Sequence, residues 1–140
     1  MSRLRVSALV LASLVLGAPS AGAYTPEVEF ALNCQGCHRA DGTGTPGSVP
    51  ALADSVARFL AVPGGRDYLV QVPGVAQAPL DDAALAAVVN WMLTRFDAPH
   101  VPKAFQPYTA DEIARLRKSP LVDVDKVRAS LLAELGRSAR

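Results

Sequence analysis

The residues of this chain with the clearest chemical potential are two cysteines and a histidine in the segment Cys34-Gln35-Gly36-Cys37-His38. Cys-x-x-Cys-His is the spacing at which a polypeptide attaches haem covalently, because the two thiols can form thioether bonds to its two vinyl groups. The histidine that follows then lies next to the iron, and its neutral ring can be an axial ligand. The pattern predicts one covalently attached haem c with iron, held by Cys34, Cys37 and His38.

Other kinds of site use the same residue types. A redox-active cysteine pair would be expected near a βαβ pattern, and the sequence has no such pattern. A closed zinc site needs four ligands, and only His38 and His100 are available to complete the two cysteines, at an unusual spacing. A disulfide between cysteines so close in sequence would close too short a loop to stabilise the chain much. Haem attachment is therefore the favoured interpretation.

The N-terminal residues 1–23 have the pattern of a secretory signal peptide. Arg3 and Arg5 give a basic start, and the apolar run that follows is short for a membrane span. A cleavage site of small residues ends at Ala23, so the mature chain would begin at Tyr24, in a periplasm or another exported location and without a membrane span. The alternative is an uncleaved anchor. Export favours the haem interpretation, because this kind of haem is attached outside the cytoplasm.

Composition places the chain among small globular proteins. It has 140 residues, with 14 Lys and Arg against 13 Asp and Glu, so it lacks the basic footprint of a nucleic-acid-binding protein. Without its leader the chain is nearly neutral and has the length of one small domain. Aromatic residues make up only 6% of the chain, and a covalent haem would add a large apolar body to its core.

Hydrophobic spacing predicts an all-α chain. The clearest helix is 81–96, where apolar residues recur at i, i+3, i+4 and i+7. The segment 72–79, with two prolines and a glycine, is predicted to be irregular. Capping residues mark the start of two later helices. The predicted helices are 28–38, 51–60, 65–70, 81–96, Thr109 to about Lys118, and Asp123 to a stop at Gly136.

The chain resembles the class I monohaem cytochrome c family. That family has an aromatic residue eight positions before the haem histidine, and Phe30 stands there relative to His38. It has a proline twelve positions after the histidine and a leucine two positions later, which match Pro50 and Leu52. Trp91 is similar to the aromatic residue of the family's last helix that packs across the first. The resemblance implies that the Pro50 carbonyl accepts the ring N–H of His38 and orients it.

The resemblance also implies a division of the chain into three parts. These are a signal peptide (1–23), a cytochrome c-like haem domain (24–96), and a helical C-terminal extension (97–140) that packs on the domain. The extension carries most of the positive charge of the mature chain, either as a solvated face or as a docking surface for an acidic redox partner. Its basic residues are Lys103, Arg115, Arg117, Lys118, Lys126, Arg128, Arg137 and Arg140.

One departure from the family concerns the sixth iron ligand. The family usually supplies a methionine from the loop before its last helix, but residues 72–79 contain none. Met92, inside the last helix, is a candidate ligand and otherwise a core residue. His100, in the connector that follows, is a candidate and otherwise a surface residue. With neither of them bound, the iron would be open to small ligands.

The function that the resemblance implies is electron transfer rather than enzyme catalysis. The chain is expected to be an exported, soluble monohaem c-type cytochrome that passes one electron between redox partner proteins, such as a dehydrogenase, an oxidase or another cytochrome. The alternative is a haem protein with an open sixth position that binds small ligands or has peroxidase activity. Against peroxidase activity, the sequence offers no convincing distal acid–base pair.

Overall fold

The computed structural model describes residues 24–138, and in this range it is built from helices joined by loops. Only an isolated bridge between Thr45 and Val49 has β geometry there, so the predicted all-α class is confirmed. The predicted signal peptide (1–23) lies outside the described residues. The elements are α1 (Pro26–Asn33), α2 (Gln35–His38), a first 3₁₀ helix (Val56–Ala61), α3 (Gly65–Gln71), α4 (Pro73–Ala76), α5 (Asp82–Asp97), a second 3₁₀ helix (Ala98–His100), α6 (Ala110–Leu116) and α7 (Val124–Ser138).

Three local predictions are wrong, each for a physical reason. The segment 72–79 is not wholly irregular, because Pro73 occupies the first position of α4, where its missing N–H costs nothing. The predicted helix 51–60 is replaced by the shorter and tighter 3₁₀ helix Val56–Ala61. Gly136 does not stop α7, which continues past it. A glycine near a helix end costs only about 1 kcal/mol relative to alanine, so neighbouring residues can override it.

The central element of the fold is α5. Asp81 caps its start, since a carboxylate oxygen accepts the Ala84 N–H at 2.7 Å. Helix α1 crosses it through Phe30, whose ring centroid lies 5.4 Å from that of Trp91 and 5.1 Å from that of Phe96. This is the aromatic crossing that the resemblance implies. The apolar side chains of α5 that lie in the core are Leu85, Ala86, Val88, Val89, Met92, Leu93 and Phe96.

The C-terminal segment shares this core. The Asn90 side chain of α5 donates to the Tyr108 carbonyl at 2.9 Å and accepts the Tyr108 N–H at 2.8 Å. Arg66 of α3 forms a two-point ion pair with Glu112 of α6, at 2.6 and 2.7 Å. Side chains from α6 and α7, including the fully buried Ile113, belong to the same apolar cluster. Within residues 24–138, no helix is both long and apolar enough to cross a membrane.

Candidate haem site

A cavity of about 320 Å³ lies between α1, α2, the first 3₁₀ helix, α3, α5 and α7. Cys34, Cys37, His38 and Pro50 together form one part of its wall, here called the motif wall. Met92 reaches the same cavity from α5. The structure therefore brings all five predicted site residues to one cavity.

The His38 ring is oriented by the backbone. Its Nδ1 lies 3.2 Å from the Pro50 carbonyl oxygen, and because a carbonyl can only accept, Nδ1 must carry the proton. The other ring nitrogen, Nε2, then keeps a lone pair that can bind a metal. Burial lowers the pKa of His38, and the bond to Pro50 offsets part of this effect. These surroundings favour the neutral ring, which is the form that binds a metal.

A tight loop holds the motif wall in place. Gly44 donates its N–H to the His38 carbonyl at 3.0 Å, and Thr45 donates to the Val49 carbonyl at 2.9 Å. Gly44 has a φ of +66°, and a Cβ on it would lie 2.4 Å from the Val49 oxygen and 2.7 Å from the Pro50 oxygen. Only glycine permits this conformation and this close approach together. The loop therefore sets where the Pro50 carbonyl meets the His38 ring.

The surroundings of Cys34 differ from those of a redox-active thiol. Burial raises the pKa of Cys34, and the nearby Cys37 and Glu29 raise it further. A redox-active Cys-x-x-Cys pair instead has a lowered pKa, because the thiolate is the reactive form. In the described range, no group of three or more His, Cys, Asp or Glu residues is arranged to hold a metal ion.

Most of the remaining wall is apolar, which suits a large flat hydrophobic group. The loop that joins α3 to α5 (72–80), here called the cavity loop, lines the cavity with Val72, Pro73, Gly74 and Val75. It contributes neither sulfur nor imidazole to the wall. Two thiols, one orientable imidazole and apolar walls are the donor set and surroundings that a covalent haem requires. Other apolar lining residues are Leu52, Val56, Phe59 and Leu69.

Polar groups reach the cavity at a few points, among them Tyr68 and Arg128. Tyr68 is buried, which raises its pKa, and the nearby Arg128 guanidinium lowers it in part. Arg128, from α7, also lies 5.9 Å from the Phe59 ring centroid. Within residues 24–138 it forms none of the ion pairs to carboxylates. The sequence places neither residue at this site, and it offers Arg128 only as one of the basic residues of the extension, because their elements come together only in the fold.

His100 does not line the cavity. Its Nδ1 lies 2.5 Å from one oxygen of Asp97, and the second oxygen of that carboxylate accepts the Ala57 N–H at 2.8 Å. Asp97 is completely buried. The pair therefore joins the end of α5 to the first 3₁₀ helix. Sequence reasoning missed Asp97, because Ala57 lies 40 residues away and leaves no local pattern.

Comparisons with known proteins agree with this geometry. The chain is 34% identical over 139 residues to one cytochrome c-552 of Thermus thermophilus, and the match covers 86% of the chain and 90% of that relative. It is 37% identical over 106 residues to another cytochrome c-552 of Thermus thermophilus, covering 63% of the chain and 81% of the relative. No protein-family model matches the chain. The chain therefore belongs to the class I c-type cytochromes, electron carriers whose cofactor is covalently attached haem c with its iron.

Proposed function

We propose that this protein is an exported monohaem cytochrome that carries one electron between redox partner proteins outside the cytoplasm. The observation that carries the proposal is the motif wall. Two thiols and an imidazole line one apolar cavity, and the Pro50 carbonyl, 3.2 Å from Nδ1 of His38, orients the imidazole. This arrangement suits a cofactor that is fixed in place rather than a substrate that enters and leaves.

Each residue of the motif wall has a distinct role in the proposal. Cys34 and Cys37 hold the cofactor through thioether bonds, so that it cannot dissociate. His38 binds iron through Nε2, and Pro50 fixes the ring by accepting the Nδ1 proton. The bound haem supplies a metal centre that gains and loses one electron without a bond to a substrate. The rigid wall keeps the ligands in place while the charge changes.

The other wall residues set the surroundings of the cofactor. Buried apolar side chains such as Val56, Phe59 and Leu69 exclude water, and a low dielectric tunes the potential of the iron. Haem also carries two carboxylates, which need polar partners. Arg128 and Tyr68 are the groups on the wall best suited to them, because one is a cation and the other a hydroxyl donor.

Met92 is our candidate for the sixth iron ligand. It lines the cavity, is 7% exposed and carries a thioether, which haem iron accepts. His100 is a weaker candidate, because its ring is held by Asp97 outside the cavity. Replacing Met92 with leucine should remove the weak long-wavelength band of a methionine–iron bond from the ferric spectrum. An unchanged spectrum would show that Met92 does not bind the iron and is only a core residue.

A second candidate function is the binding of small ligands at an open sixth position. The observation that favours it is the cavity loop, which offers no iron ligand. Optical spectra of the purified protein, oxidised and reduced, with and without CO, separate the two functions. A low-spin spectrum that CO does not change supports electron transfer. A high-spin spectrum that shifts with CO contradicts the carrier proposal and supports ligand binding.

The proposal includes export of the protein and the kind of partner it meets. The leader pattern of residues 1–23 supports export, with a dehydrogenase as electron donor and an oxidase or another cytochrome as acceptor. The extension presents exposed Lys103, Arg115, Lys118 and Lys126, which would attract an acidic partner surface. Replacing these four with glutamine should slow reduction by such a partner steeply at low salt. Equal rates in stopped-flow mixing would contradict this role.

A further inference from the structure

The cavity loop (72–80) is part of the wall of the cofactor site, yet it has no ligand with which to reach the iron. Val72, Pro73, Gly74 and Val75 line the cavity, and none of them carries a donor that iron binds. The loop contains only one short helix, α4, and two prolines. Contacts other than a bond to the iron must therefore hold this segment against the cofactor.

Arg117, at the end of α6, supplies that hold. Its guanidinium donates to three backbone carbonyls in the second half of the loop, those of Ala76 at 3.0 Å, Ala78 at 2.6 Å and Leu80 at 2.8 Å. A fourth bond goes to the Asp82 carboxylate at 3.0 Å, at the start of α5. One side chain thus binds the loop at three points and ties it to the helix that follows.

These bonds have no visible substitute. In residues 24–138, Arg117 is the only hydrogen-bond donor found for the carbonyls of Ala76, Ala78 and Leu80. Its side chain is only 19% exposed, so water cannot easily take over. Bonds from a charged donor are stronger than neutral ones, and leaving a buried acceptor unpaired carries a further cost. Lysine has three donors on one atom and cannot reproduce the planar fork.

The segment after α6 binds the end of α3, just before the loop. The N–H of Leu121 donates to the Gln71 carbonyl at 2.8 Å, where α3 ends and the loop begins. A few residues later, Val124 and Arg128 of α7 line the cavity themselves. The C-terminal extension therefore binds the chain just before the loop and within its second half, and then completes the cavity wall.

We infer that Arg117 is a positioning residue for electron transfer. It holds the cavity loop against the cofactor by binding loop carbonyls, and so does the work that a bond from the loop to the iron would otherwise do. This arrangement should make the position of the loop independent of the oxidation state of the iron. A loop held by a guanidinium and backbone carbonyls has no bond that changes when the iron gains or loses an electron. The loop keeps one conformation in both states, which keeps reorganisation small. The inference rests on the proposed function in one respect, which is that the cofactor is haem.

Amide hydrogen exchange of the haem-loaded protein tests this inference, because it reports local opening. The amides of Val75, Ala76, Gln77 and Ala78 donate within the loop and are the probes. In Arg117→Ala we expect their protection to fall roughly tenfold or more relative to α5 amides. Arg117→Lys should fall between the wild type and Arg117→Ala. In the wild type, the loop amides should be equally protected in ferric and ferrous protein.

The matched control is Arg115→Ala, which removes an exposed arginine from the same helix. Loop protection equal to that of this control would overturn the inference, as would an equal loss at every amide of the protein. If Arg117→Ala does not fold, Arg117→Lys and Asp82→Asn give the same comparison. Protein that lacks a haem spectrum would contradict the proposed function instead, and the exchange contrast between variants would still decide whether Arg117 holds the loop.

Discussion

The motif wall and the cavity loop line the same cavity, but they are held in different ways. The contacts that hold the motif wall join residues close in sequence, whereas several of those that hold the cavity loop join residues far apart in sequence. His38 and Pro50 are 12 residues apart, and the loop between them is fixed by its own backbone bonds. The cavity loop also has backbone bonds of its own, but three of its carbonyls are bound by Arg117, which lies 37 to 41 residues after them. The chemistry of the site is therefore local, whereas its enclosure is a tertiary feature supplied by the C-terminal extension.

The largest effect should come from removing the covalent attachment. Cys34→Ala combined with Cys37→Ala leaves no thiol in the chain, so no haem can remain bound under denaturing conditions. We expect complete loss of haem staining in a denaturing gel. Gly36→Ala, between the two cysteines, is the matched control, because its Cβ would meet no atom within 4 Å. Staining that survives the double substitution would contradict the role of the motif wall.

A substitution at Gly44 breaks the motif wall through its backbone. An alanine there must adopt a φ of +66° and place Cβ 2.4 Å from the Val49 oxygen. The left-handed conformation costs about 1–2 kcal/mol, and the forced shift adds about as much again, so Gly44→Ala should lower the free energy of unfolding by about 3 kcal/mol. Denaturant unfolding measures this.

Gly47→Ala separates the two causes, because Gly47 has a φ of +79° and nothing within 4 Å of its Cβ. It should cost only about 1–2 kcal/mol, from the backbone conformation alone. Equal costs for Gly44→Ala and Gly47→Ala would show that the close approach to Val49 and Pro50 has no energetic weight.

Long-range contacts also hold the first 3₁₀ helix, which contributes Val56 and Phe59 to the cavity. Asp97→Ala leaves the buried Ala57 N–H without its acceptor and His100 without its partner. We expect a loss of about 2–3 kcal/mol in unfolding free energy. His100→Ala keeps the bond to Ala57 and should cost less. If the two variants lose equal stability, the bond to Ala57 is not the main contribution of Asp97.

The smallest effect concerns how the extension is attached, and it depends on pH. The Arg66 guanidinium lowers the pKa of Glu112 below its ordinary value of 4.5. A carboxyl whose folded pKa is lowered contributes stability above the unfolded pKa, and this contribution disappears as the pH falls through the folded pKa. The pair should contribute about 1 kcal/mol near neutral pH.

Glu112→Gln removes the ionisable partner. The unfolding free energy of this variant should therefore fall less steeply as the pH is lowered. Unfolding free energies of both proteins between neutral pH and about pH 3 measure the difference. Curves that stay parallel below pH 4.5 would show that the ion pair makes no pH-dependent contribution.

The difference between contacts local in sequence and contacts between distant residues also explains which features could be predicted from the sequence. The motif residues and the α5 stripe are local patterns, so the residues that meet at the cavity and a helix at 81–96 (82–97 in the structure) could be predicted. Arg117 and Asp97 could not, because nothing beside them in the chain identifies their distant hydrogen-bond partners. α4 was hidden by proline and glycine, which usually mark irregular chain but here begin a short helix.

The proposed function depends most on the covalent attachment of one haem to Cys34 and Cys37. Mass spectrometry of the purified mature protein, followed by digestion and mapping, tests it most directly. We expect an intact mass greater than that of the polypeptide by one haem, with the added mass on the peptide that contains residues 34–38. A bare polypeptide mass, or a disulfide between Cys34 and Cys37 in its place, would show that no haem is attached and would overturn the proposed function.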